Sequence, residues 1–105
     1  MIRAMVFYPS GKGRFDMEYY LNSHIPLAER LLKPYGLIRA EVDKGISGGR
    51  PDEVAPFATI ACMVFENMED MAKGMAAHDA ELAADAKNFT DIKPIFQISE
   101  ILILR

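Results

Sequence analysis

Tryptophan is missing from this 105-residue sequence, cysteine occurs once and histidine twice. A single cysteine, Cys62, excludes an internal disulfide, and its apolar neighbours read as core. That usage fits a reducing, cytoplasmic setting. The N-terminus does not read as a secretory signal, because strand-like residues after Arg3 give way at once to Pro9, Gly11 and Gly13. No apolar run approaches a membrane span. A net charge of -3, with no Lys/Arg cluster, zinc-finger spacing or basic helix, argues against nucleic-acid binding. A phosphate loop and a dinucleotide fingerprint are also lacking: SGGRPD has no Lys-Ser/Thr tail and opens no helix, and GKG is a turn. No HxH or HxxxH pair is present, so no metal site is expected; one would have to combine both histidines with Asp91 or Asp79.

What is present reads as one domain, residues 1–105, half of it hydrophobic and about a quarter charged. Met1–Tyr8 is a short run of strand formers stopped by PSGKG. Asp16 can cap a helix from Met17, along which Met17, Tyr20, His24, Leu27 and Leu31 recur at helical spacing before Pro34, Tyr35 and Gly36 end it. A second strand spans Leu37 to Gly45, a loop Ser47 to Pro56, and a third strand Phe57 to Phe65. Asn67 can cap a second helix with the stripe Met68, Met71, Met75, His78, Leu82 and Ala86. Pro94 to Leu104 reads as a long last strand.

The order βαββαβ predicts an α+β ferredoxin-like sandwich: a four-stranded antiparallel sheet with both helices on one face. The strands are apolar on both sides. Phe57, Thr59, Ala61, Met63 and Phe65 share one face of the third strand, and Ala58, Ile60, Cys62 and Val64 the other. The face without helices therefore needs a cover, and a second copy of the same sheet supplies one, giving a homodimeric α+β barrel. A charge at Ala61 or Met63 tests that interface if their side lies in it.

His24 and His78 both fall on apolar stripes. They are either two packed core histidines or acid–base groups of a pocket between helices and sheet. Pro26 removes the bond to the Asn22 carbonyl, so the helix should kink or restart near Ser23–Ile25, a local irregularity of the kind that marks sites. Tyr20 lies on the same stripe and needs a partner for its hydroxyl. Asn88, Thr90 and Asp91, around Phe89, offer an amide, a hydroxyl and a carboxylate. They can orient an imidazole or serve as turn residues.

The combination of FDMEYYLNSHIPL, FATIACMVFENMEDM and HDAELAADAKNFTDIKPIFQISEIL resembles the EthD family, named for ethyl tert-butyl ether degradation, from Met1 to Leu104. The resemblance implies a dimeric α+β barrel and an association with oxidative degradation pathways. Its motif positions here are Tyr20, His24, Pro26, His78, Phe89, Thr90 and Asp91. On this reading His24, His78 and Asp91 are the catalytic candidates, and Tyr20, Phe89 and Thr90 contact substrate. The expected activity is histidine acid–base chemistry on a hydrophobic, oxygenated small molecule, of a cofactor-free oxygenase, isomerase or cyclase type. The alternative is a non-catalytic binding or accessory protein for a hydrophobic metabolite. No cofactor is expected, although the wider superfamily includes haem-degrading enzymes and His24 or His78 could serve as an axial ligand.

Overall fold

The computed structural model describes residues 1–105. Strands β1 (Ile2–Pro9), β2 (Leu37–Lys44), β3 (Phe57–Phe65) and β4 (Ile95–Glu100) form one antiparallel sheet in the order β2-β3-β1-β4. Helices α1 (Met17–Tyr19), α2 (Ile25–Leu32) and α3 (Met68–Asp85) complete the ferredoxin-like βαββαβ order. No helix is long and apolar enough to cross a membrane.

The helix starts are capped as their sequences dictate. The Asp16 carboxylate accepts the Tyr19 amide at 3.0 Å, and the Asn67 side chain accepts the Asp70 amide at 2.8 Å. Between α1 and α2 lies a π turn, Tyr20–His24, in which the Ile25 amide reaches back to the Tyr20 carbonyl. Proline at position 26 sits in the first turn of α2, where its missing N–H is tolerated. The expected kink is thus an i→i+5 turn.

This turn corrects the expected helix stripe. The buried residues are Tyr20, Ala28 and Leu32, whereas Leu27 and Leu31 are only half-buried. A spacing of four drifts by about 40° per step on an α-helix of 3.6 residues per turn. The extra residue in the π turn takes up that drift, so the inward face moves one position along the chain after His24. On α3 the expected stripe holds from Met71 through Met75, His78, Leu82 and Ala86, with Gly74 also buried, while Met68 is exposed at the helix start. Gly74 lies against Tyr35: a Cβ there would come 2.8 Å from the Tyr35 Cβ.

One core cluster joins Ala4, Phe65, Ala28, Leu32 and Met71; another joins Tyr8, Ala61, Tyr20 and Phe89. Register places Ala4 opposite Met63 and Val6 opposite Ala61, so Ala61 and Met63 point to the helices. A charge at either position would disturb the helix-side core and not the bare face. The bare face carries Met5 opposite Cys62 and Phe7 opposite Ile60, with Arg3, Arg39 and Glu41 near its rim. Burial pushes the Cys62 thiol up from its ordinary value.

The last strand is shorter than expected. Its final backbone bond is Ile101 N–H to the Met1 carbonyl, at 3.0 Å. Strand β4 pairs only with β1, the register ends with Ile2 opposite Glu100, and Leu102 and Ile103 beyond it are exposed.

Candidate active site

The π turn and the end of α3 bring His24 against Asp85. Nδ1 of His24 lies 2.8 Å from Oδ2 of Asp85, and the two side chains are only 12% and 16% exposed. The other carboxylate oxygen, Oδ1, accepts from the Tyr19 hydroxyl at 2.7 Å and from the Asn88 amide at 3.0 Å. Asn88 also donates to the Tyr19 oxygen at 3.2 Å. Burial alone would push the Asp85 carboxyl up, but hydrogen bonds from Tyr19, His24 and Asn88 outweigh it and hold the group below its ordinary value. The Tyr19 hydroxyl is pushed up, chiefly because it donates to that carboxylate.

An ionised carboxylate only accepts. It therefore keeps the imidazole proton on Nδ1 in the neutral ring and leaves Nε2 with a free lone pair. The ring is held by aromatic neighbours as well. Tyr20 lies parallel to it, with centroids 5.5 Å apart and planes 15° apart, and Phe89 packs at 4.6 Å. His24 and Tyr20 line a cavity of about 650 Å³ between the sheet and the helices, whose wall includes Ala61, Met75, Leu82 and Phe96. That volume is in the range of small-molecule sites.

The other candidates are placed differently. His78 does not line this cavity; it packs edge-on to Tyr35 with centroids 5.8 Å apart, and its Nδ1 is 4.0 Å from Glu81. Asp91 accepts the Arg14 amide at 2.7 Å and does not reach His24. Thr90 donates to the Arg14 carbonyl and accepts the Ile92 amide at 3.0 Å. With the Phe15–Thr90 bridge and the 2.7 Å bond from the Asp16 amide to the Phe89 carbonyl, this segment clamps the start of α1. Phe89 is fully buried beneath the imidazole. No three His, Cys, Asp or Glu side chains are grouped to hold a metal ion. For a haem, His24 is the histidine on the cavity wall.

Asp85 is the residue that sequence reasoning missed. A signal was available: it is a carboxylate in the last turn of α3, where no basic residue accompanies it. The negative end of a helix dipole disfavours an acid unless donors face it.

Comparison with known proteins agrees with this architecture. The EthD domain matches residues 14–93. An EthD-like protein from Ralstonia eutropha JMP134 is 31% identical, with a TM-score of 0.92 over 99% of this chain and 94% of that one. SnoaB from Streptomyces nogalater, a cofactor-independent oxygenase, is 10% identical with a TM-score of 0.62 over 98% of this chain and 93% of its own. A dimeric ferredoxin-like protein from an uncultured marine organism is 16% identical with a TM-score of 0.64, covering 100% and 98%. The last two likenesses establish the fold alone. No curated protein sequence matches the chain.

Proposed function

The chain belongs to the EthD family, and from that premise we propose that it is a small acid–base enzyme acting on a hydrophobic, oxygenated molecule held between its helices and sheet. The observation that carries this reading is the 2.8 Å pair of His24 Nδ1 and Asp85 Oδ2 at the wall of an apolar cavity. In the first step Nε2 takes a proton from a phenolic hydroxyl or from the carbon beside a carbonyl. The electron pair of the broken bond moves to the substrate oxygen, giving a phenolate or enolate. Asp85 meanwhile holds the Nδ1 proton and balances the imidazolium charge. Reprotonation at another atom makes the reaction an isomerisation; dioxygen as the oxidant makes it an oxygenation. Both share the same first proton transfer, in which His24 is the catalytic residue and Asp85 positions it.

The working unit in this proposal is a homodimer joined through the bare sheet face, where Met5, Phe7 and Ile60 are half-buried apolar residues without helix cover. The test is hydrogen–deuterium exchange at the α-carbon of a bound enolisable ketone, followed by NMR in wild type and His24→Ala. Exchange that depends on His24 supports the enzyme. Saturable binding with no exchange in wild type returns the protein to a ligand carrier, and a haemin titration without a Soret shift removes the haem role.

A further inference from the structure

Two phenols meet inside the cavity, and the acid–base pair uses neither hydroxyl. Tyr8 is 5% and Tyr20 1% exposed, yet both line the cavity wall. They come from different elements, β1 and the π turn, and their rings meet edge to face with centroids 5.8 Å apart. The hydroxyls that donate within the protein are those of Ser10, Tyr19, Ser47 and Thr90, and neither Tyr8 nor Tyr20 is among them. Two hydroxyls bring two hydrogens. Neither has an acceptor in the protein.

The cavity wall suggests what meets it. Tyr8 and Tyr20 are the only hydroxyl-bearing residues on a lining that is otherwise mostly aliphatic. Tyr20 also stacks on the imidazole, so the phenol pair and the base belong to one site. Burial pushes both phenols up from their ordinary value, which keeps them protonated as donors at neutral pH.

We propose that the paired hydroxyls of Tyr8 and Tyr20 form the oxygen-binding end of the cavity and donate to a single carbonyl oxygen of the ligand. The ligand class is then a compact, apolar, enolisable ketone whose α-proton faces His24. This assignment rests on the cavity being the ligand site, and it deepens the proton-abstraction reading. A donor already aimed at the carbonyl oxygen also meets the negative charge that grows there as the proton leaves.

The test compares α-tetralone with tetralin, its hydrocarbon counterpart, by calorimetric titration of wild type, Tyr8→Phe and Tyr20→Phe. Phenylalanine keeps the ring and removes only the hydroxyl. Wild type is expected to prefer the ketone by about three- to tenfold, the worth of one neutral hydrogen bond. Each variant should bind tetralin as wild type does and show a weaker preference for the ketone. The proposal is overturned if wild type shows no preference, if the preference is undiminished in either variant, or if a variant loses both compounds together. Exchange of the α-hydrogens of α-tetralone, measured on His24→Ala, keeps the two readings apart. A His24 variant that still exchanges overturns the catalytic role of the imidazole and leaves the tyrosine result standing.

Discussion

Replacing Asp85 by alanine removes a carboxylate that three neighbours use. Counted at full value, three bonds to a charged acceptor would rival the whole stability of a small domain. The surroundings argue for a smaller cost. Asn88 is exposed and Tyr19 partly so, and water can replace the carboxylate for both. The His24 side chain is only 12% exposed and packed against Tyr20 and Phe89, so its Nδ1–H is left without a partner. One charge-assisted bond to a buried donor is worth about 2 kcal/mol. For a domain of this length that lowers Tm by about 10 °C. Urea unfolding of wild type, Asp85→Ala, His24→Ala and the double variant should therefore give a coupling of about 1.5 kcal/mol between the two residues. Additive single variants, or a loss above about 4 kcal/mol for Asp85→Ala, would refute the view that the imidazole bond dominates.

Acid should act through the same carboxylate. Its folded value is depressed, so its contribution is present above the ordinary carboxylate range and drains away as pH falls below about 4; Tm against pH should be flatter there for Asp85→Asn than for wild type. Gly74→Ala gains about 1 kcal/mol of helix propensity, but its Cβ would fall 2.8 Å from Tyr35, and overpacking of about 1–3 kcal/mol leaves the variant less stable in urea. Thr59 is buried with a hydroxyl that has no partner, so Thr59→Val should raise stability by about 1 kcal/mol in the same assay. Met5→Glu puts a charge on the proposed dimer face and should turn the dimer into a monomer in sedimentation velocity, with helix-side packing intact; an unchanged sedimentation coefficient counts against that interface.

The fold was legible because local signals agreed with one another. Proline–glycine turns bound the strands, Asp16 and Asn67 announce the helix starts, and βαββαβ order leaves one plausible arrangement. The phase of the first helix was not legible beyond His24. Pro26 signals a break, but no spacing rule says that one extra residue goes into the turn, so Leu27 and Leu31 looked inward where Ala28 and Leu32 are. The end of β4 was misread because Leu102 to Leu104 are apolar enough for a strand, and only the register with β1, which ends at Ile2 opposite Glu100, shows where pairing stops. At the site, His24 and Tyr20 share a local run and Phe89 lies in a recognisable segment, and the structure packs the three rings together. Asp85 did not: 61 residues separate it from His24, and only the crossing of α3 over the π turn joins them. Asp91 drew attention as a carboxylate in the right segment, but its oxygen was already committed to the Arg14 amide.

The π turn also sets how this chain can change in length. A deletion at the exposed Ser23 would return the turn to i→i+4 bonding, and the missing residue would come out of the bulge. Helix α1 would keep its cap and α2 its packing, since neither depends on how many residues lie between them. The imidazole sits within the bulge and is the group that must shift. At this one place the scaffold tolerates an indel while the chemistry does not, so chain length acts there as a vernier on the position of the base.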